Sequence, residues 1–231
     1  MARVAPIEKG KEVEKMKLQG VALMLFAAAL VCALMSRPTQ AKDEKMTIVA
    51  FGDSLTAGLG LPDNASFPAQ LETALKAQGN DVSVVNAGVS GDTTSAALQR
   101  LDWALPQDAS AVIVELGGND ALQGIPPEGT KANLAKIIEA VQAKGLPVLF
   151  AGMEAPRNMG TDYVDAFRAI YAELAAKYNV VFYPFFLDGV ALDDSLMQGD
   201  GIHPNAKGVA KIVERIMPKV DELLAQVKSK G

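Results

Sequence analysis

A three-layer α/β/α domain built on a five-stranded parallel sheet is predicted by three observations. Short apolar, β-branched runs alternate with amphipathic stretches from Met46 onward, polar glycine-rich turns follow successive runs, and no repeat or low-complexity segment interrupts the pattern. Runs bounded in this way read as buried parallel strands, each followed by a helix that returns the chain to the start of the sheet.

The elements follow in order. Residues 47–51 form the first strand and 68–78 a helix with Leu, Ile, Val and Ala at helical spacing, closed by Gly79-Asn80. Strand 82–85 precedes helix 94–103, and strand 111–116 precedes helix 129–143, which Gly145-Leu146-Pro147 ends. Strand 147–151, helix 162–178 and strand 180–183 complete the sheet, and Pro204-Asn205 sets up a last helix over 205–225. At 231 residues and 49% hydrophobic content the chain can bury one sizeable core, so residues 42–231 are expected to be a single domain. A formal net charge of -5 argues against a nucleic-acid partner, which would require an excess of Lys and Arg on one face.

The first residues differ in composition. Lys9, Lys11, Lys15 and Lys17 precede an uncharged apolar run over 21–35, and Thr39-Gln40-Ala41 offers small residues for a signal peptidase. Residues 1–41 therefore read as a secretory signal peptide, with Met16 as an alternative start, and the mature protein is expected to be periplasmic or secreted. A permanent anchor is the competing reading, but the apolar run is shorter than the roughly 20 residues a spanning helix needs, so no stable membrane span is expected in the mature form. Cys32, the only cysteine, follows Ala29-Leu30-Val31, a poor lipoprotein site. Its removal would leave a domain with neither disulfides nor a thiolate nucleophile.

The chemistry concentrates in the turns after the strands. Gly52-Asp53-Ser54-Leu55 follows the first, Asn86-Ala87-Gly88-Val89-Ser90-Gly91-Asp92 the second, and Gly117-Gly118-Asn119-Asp120 the third. Ligands of open α/β sheets bind at the carboxyl ends of the strands. The only histidine, His203, lies in Asp200-Gly201-Ile202-His203-Pro204. If a serine is the nucleophile, His203 must take its proton, and Asp200 is the nearest carboxylate able to hold the imidazole. Taken singly, each segment has a plainer account as a turn, a loop or a surface histidine.

Together the segments resemble the four sequence blocks of the SGNH (GDSL) hydrolases: Gly52-Asp53-Ser54-Leu55, Ser90-Gly91-Asp92, Gly117-Gly118-Asn119-Asp120 and Asp200-Gly201-Ile202-His203-Pro204. Glu115-Leu116-Gly117-Gly118-Asn119-Asp120 and Pro184-Phe185-Phe186 are similar to the bacterial thioesterase I, lysophospholipase L1 and arylesterase branch. The resemblance spans Met46 to about Leu224. It implies a flavodoxin-like winding, the SGNH hydrolase fold, and hydrolysis of small-molecule acyl esters or thioesters through an acyl-enzyme without a cofactor or metal. By the same resemblance Ser54 is the nucleophile, His203 the general base and Asp200 its orienter, while the Ser54 and Gly91 backbone N–H groups and the Asn119 side-chain amide form an oxyanion hole.

Neighbouring residues admit plainer roles. Asp53 is expected to tie its own turn together through backbone bonds, and Asp92 and Asp120 likewise. Glu115 is expected to be a structural carboxylate or a brace of the site. Leu122, Ile125, Met153 and Met159 could line an acyl groove, or serve as ordinary loop apolars. An α/β-hydrolase lacks support because no Gly-x-Ser-x-Gly elbow occurs, and a dinucleotide-binding reading fails where Leu61-Pro62-Asp63 follows Gly58-Leu59-Gly60. One histidine and no mature cysteine give poor zinc ligation. A carbohydrate O-deacetylase and an inactive binding module of the same fold remain as alternatives, the latter expected to have lost a triad or oxyanion residue. The sequence carries no signal for an oligomeric state.

Overall fold

The computed structural model describes residues 45–230, so the expected signal peptide over 1–41 lies outside the described residues. The sheet consists of β1 (Met46–Gly52), β2 (Val82–Gly88), β3 (Ala111–Glu115), β4 (Val148–Ala151) and β5 (Val181–Tyr183). All pairs are parallel, in the order β2-β1-β3-β4-β5. The helices are α1 (Ser54–Ala57), α2 (Phe67–Ala77), α3 (Thr94–Ala104), α4 (Gly118–Leu122), α5 (Pro127–Ala143), α6 (Thr161–Tyr178) and α7 (Ala206–Lys228). This is the five-stranded, three-layer α/β/α architecture with the flavodoxin-like order.

Burial explains why these runs become central or edge strands. Ile48, Val49, Ala50 and Phe51 of β1 and Val112, Ile113 and Val114 of β3 are buried on both faces, as expected of strands covered by helices on each side. The edge strands β2 and β5 alternate between buried and half-buried positions. Right-handed crossovers then assign the layers. The step from β1 to β2 runs one way along the sheet and the later steps run the other, so α2 lies on one face and α3, α5 and α6 on the opposite face. The contacts agree: α2 packs on α7, while α3 packs on α5 and α5 on α6. Helix α7 buries Val209, Ile212, Val213, Ile216, Val220, Leu223 and Leu224 along one stripe.

Several boundaries differ from expectation for local reasons. Strand β2 continues to Gly88 because Asn86, Ala87 and Gly88 stay in register with Ala50, Phe51 and Gly52, although the β-branched run has ended. Helix α5 begins at Pro127, where a proline at the first position sacrifices no hydrogen bond, and α7 runs on to Lys228 behind its Asn205 cap. Helices α1 and α4 are too short to show periodicity.

The register sets up the site. Gly52 at the end of β1 pairs with Gly88 of β2 and with Glu115 of β3, so three strand ends stop at one level. From β1 the chain goes on to β2 on one side and later returns to β3 on the other, which opens a crevice above β1. The turns after these three strands therefore meet in space.

Candidate active site

Ser54 is the first residue of α1, directly after β1, with Asp53 as its N-cap: the Asp53 Oδ1 accepts from the Leu55 N–H at 3.0 Å. Gly58 closes this helix with a left-handed backbone. Tight packing against the sheet requires glycine beneath it. A Cβ at Gly52 would lie 2.1 Å from the Thr56 Oγ1 and 2.6 Å from the Glu115 carbonyl oxygen. The serine is thus held on a short, rigid turn and is largely buried.

Across the crevice, the turn before α7 brings His203 to it. The Ser54 Oγ and the His203 Nε2 are 2.8 Å apart, and the His203 Nδ1 lies 2.6 Å from the Asp200 Oδ2. The Asp200 Oδ1 accepts the backbone N–H groups of Ile202 at 2.9 Å and His203 at 3.0 Å, so one carboxylate builds the turn and also orients the ring. These N–H groups and the imidazole hold the Asp200 carboxyl well below the usual carboxylate range. With the Asp200 carboxylate accepting from Nδ1–H, the Nε2 atom is left as a proton acceptor facing the hydroxyl.

Gln198 couples the two sides. Its backbone N–H donates to the His203 carbonyl at 2.7 Å, and its amide donates both to the Pro204 carbonyl at 3.0 Å and to the Leu59 carbonyl at 2.7 Å. The Leu59 contact ties the histidine turn to the loop that follows the serine helix. Sequence reasoning missed Gln198 because its partners are backbone carbonyls, which leave no side-chain pattern, and the one that joins the two sides, Leu59, is distant in the chain.

Gly91 and Asn119 approach the same place. Gly91 has φ +86°, a conformation that disfavours side chains, and it lines the cleft with Ser54, Asn119 and His203. Neither the Ser54 nor the Gly91 backbone N–H is engaged by a hydrogen bond within the described residues. Asn119 lies in α4, and its amide donates to the Asp92 carbonyl at 2.9 Å and to the Asp53 Oδ2 at 3.2 Å. Ser54, Gly91 and Asn119 therefore line one cleft, with two unengaged backbone N–H groups and one side-chain amide among them.

The surrounding carboxylates correct part of the sequence reading. Asp53 caps its own turn as expected but also reaches Asn119, and burial, the largest influence, pushes its carboxyl up to about 6. Asp92 and Asp120 do not serve local turns. Asp92 pairs with Arg100 through a 2.5 Å contact, and Asp120 binds the Thr94 N–H at 2.8 Å, the Thr94 hydroxyl at 2.6 Å and the Thr130 hydroxyl at 3.1 Å. Asp120 thereby pins α4, and with it Asn119, to α3 and α5. Glu115 is completely buried and accepts from the Thr56 hydroxyl at 2.7 Å. Burial, reinforced by the charge of Asp53, pushes its carboxyl well above the ordinary value.

A cleft of about 750 Å³ opens above the Ser54–His203 pair. Its apolar wall includes Leu122, Met153, Phe185, Leu187, Leu192 and Ile202. Leu122 and Met153 thus occupy the position expected of groove residues, whereas Ile125 and Met159 do not line the cleft. The chain turns away at Ile125, whose carbonyl accepts from the Tyr163 hydroxyl at 2.8 Å, and the Met159 methyl packs towards Gly124 instead. Phe185 and Ile202 fall in segments that carry the family resemblance but were not expected as wall residues, and Leu187 and Leu192 carried no signal, because all four lie in two loops whose direction the sequence does not give. No helix among the described residues is long and apolar enough to cross a membrane.

Residues 50–211 match the GDSL-like Lipase/Acylhydrolase family. The chain is 37% identical over 202 residues to the esterase TesA of Pseudomonas aeruginosa, an alignment covering 87% of this chain and 98% of that protein. It is 42% identical over 160 residues to the thioesterase 1/protease 1/lysophospholipase L1 of Escherichia coli K12, covering 69% of this chain and 76% of the relative. Among solved structures it is similar to AlinE4, an SGNH-hydrolase family esterase, with a TM-score of 0.66 and 46% identity, covering 78% of this chain and 97% of that one.

Proposed function

The chain belongs to the GDSL-like lipase/acylhydrolase family and is a carboxylic ester hydrolase, and from this premise we propose that Ser54, His203 and Asp200 are its catalytic triad. The observation that carries the reading is the unbroken relay of contacts, 2.8 Å from the Ser54 Oγ to the His203 Nε2 and 2.6 Å from the Nδ1 to Asp200, at the floor of a largely apolar cleft.

In this reading the Ser54 Oγ attacks the ester carbonyl carbon as His203 Nε2 takes its proton, and the carbonyl oxygen becomes an oxyanion. The N–H groups of Ser54 and Gly91 and the Asn119 amide receive that charge. The amide hydrogen making the looser 3.2 Å contact with Asp53 is the one available to it. His203 then returns the proton to the departing alcohol or thiol, and a water deprotonated by the same ring releases the acid from Ser54. The chain supplies nucleophile, base and oxyanion donors itself, so the cycle calls for no metal or cofactor.

The cleft supports an acyl substrate over an acetylated sugar, since apolar Leu122, Met153, Phe185 and Leu187 predominate in its walls over the polar Glu154 and Arg157. Arylesters, acyl thioesters and lysophospholipids are the substrate classes that fit. The lysine-rich, apolar start of the chain supports export, with cleavage after Ala41 and a periplasmic or secreted mature enzyme. Labelling by a serine-directed phosphonate tests the central claim: the wild type is expected to take up one equivalent with loss of activity, and Ser54→Ala none.

A further inference from the structure

Arg100 has no counterpart in this mechanism, yet its side chain is only 13% exposed and its guanidinium makes four contacts. Its Nε donates to the Asp92 Oδ2 at 2.5 Å, one Nη to the Ala87 carbonyl at 2.9 Å and the other to the Gly52 carbonyl at 2.9 Å, while the group lies over the Phe51 ring at 4.4 Å. Each partner belongs to a segment that bears a proposed oxyanion donor. Gly52 ends β1, two residues before the Ser54 N–H. Ala87 is the next-to-last residue of β2, and Asp92 follows Gly91 and presents the carbonyl that Asn119 binds at 2.9 Å.

We propose that Arg100 is the positioning residue of the oxyanion hole: one buried cation sets the spacing of the Ser54 N–H, the Gly91 N–H and the Asn119 amide by holding the two segments that carry the backbone donors and, through Asp92, the carbonyl to which the amide donates. The inference rests on the oxyanion assignment made above.

The physical need is clear at Gly91. Residues 90 and 91 are exposed and the left-handed glycine has no side chain to fix it, so beyond the Asp92 N–H to Val89 carbonyl bond at 3.2 Å the 89–93 turn depends on how its ends are held. One end is the β2 terminus and the other is Asp92, and the same guanidinium holds both. A planar fork with five N–H donors can serve two carbonyls and a carboxylate at once, whereas an ammonium of the same charge cannot span them. Asp92 is also half of the arrangement, because it converts a cation on α3 into a fixed backbone carbonyl for Asn119. Without the cation its largely buried carboxylate would face Asp53 uncompensated.

The test compares Arg100→Lys and Asp92→Asn with the wild type on a short p-nitrophenyl ester, with rates expressed per active site titrated by a phosphonate. Both variants are expected to label fully at Ser54 but slowly, and to lose about 10- to 100-fold in kcat with KM within about twofold. A Tm loss with kcat per titrated site unchanged in both variants overturns the proposal, as that outcome marks Arg100 as structural only. Asn119→Ala combined with Arg100→Lys supplies the second reading. If Arg100 acts through the hole, Asn119→Ala costs less in the Arg100→Lys background than in the wild type, and independent multiplication of the two losses refutes it. Should Asn119→Ala alone leave kcat intact, the oxyanion assignment itself has failed, and the Arg100 inference with it.

Discussion

Asn119 donates to the carboxylate of Asp53, the residue directly before Ser54, at 3.2 Å. The contact places the proposed charge-stabilising donor and the cap of the Ser54 helix on one hydrogen bond, so the orientation of the amide depends on the turn that presents the serine. The Asp92 carbonyl fixes the other side of the same amide at 2.9 Å. Asn119 is therefore oriented before any substrate arrives, which is what electrostatic stabilisation of a transition state demands.

Asn119→Ala should consequently lower kcat by about 10²- to 10³-fold with little change in KM, since the charge it receives develops only in the transition state. Steady-state kinetics on a short acyl ester measure both parameters. A change confined to KM would make Asn119 a substrate-positioning residue instead.

Asp53 yields a prediction about pH. Its carboxyl is raised from 3.8 to about 6 in the folded protein, so the folded state binds the proton more tightly than the unfolded state does. The stability this contributes is fully present below pH 3.8 and is lost as pH rises through about 6. The gap corresponds to about 3 kcal/mol at most. Asp53→Asn removes the titration while keeping a side-chain oxygen for the Leu55 N–H, so the variant should gain on the wild type between pH 4 and pH 7.5. Asp200, shifted the opposite way, is present in both proteins and cancels. Urea unfolding of both at the two pH values is the measurement, and a wild-type-to-variant difference independent of pH would show that Asp53 titrates normally.

Much of this site was legible in the sequence because its residues fall in short segments directly after apolar runs, and the parallel register then brings those segments to one level. Ser54, Asn119, Asp200 and His203 sit where such a reading puts them. What was hidden depends on partners far apart in the chain. Arg100, on a helix with an ordinary mixture of polar residues, looks like a solvated side chain until β1 and β2 deliver the Gly52 and Ala87 carbonyls to it. Asp120 has the local pattern of a turn residue, yet its acceptor oxygens are taken by Thr94 and Thr130 on other helices. Loop side chains are hardest of all: hydrophobicity alone assigns no direction, so Ile125 and Leu122, three residues apart, look equivalent although only Leu122 lines the cleft.

The two partners of the proposed serine should differ in their cost. His203→Ala is expected to be as damaging as Ser54→Ala, because no second histidine exists to accept the proton. Asp200→Asn should retain more activity, with a loss of roughly 10²- to 10⁴-fold: an amide can still accept one of the turn's N–H groups, but it favours the wrong tautomer by offering a donor to Nδ1. Turnover of the three variants per mole of folded protein decides it. Equal residual rates for His203→Ala and the wild type would require a different base.

The cleft makes the final prediction, one that separates lining residues from their neighbours. Leu122 is 53% exposed at the cleft wall, so a charge there can be introduced without burying it in the core. Leu122→Asp should place a carboxylate beside the methylenes of a long acyl chain. Each methylene it keeps from burial weakens binding by about 0.8 kcal/mol, so kcat/KM for decanoyl esters should fall about 10-fold while acetyl esters are nearly unaffected. Ile125→Asp is the control, because Ile125 does not line the cleft, and it should leave the ratio of long- to short-chain activity as it is in the wild type. If Ile125→Asp shifts that ratio and Leu122→Asp does not, the acyl chain runs along the opposite side of the Gly118–Leu122 helix from the cleft described here.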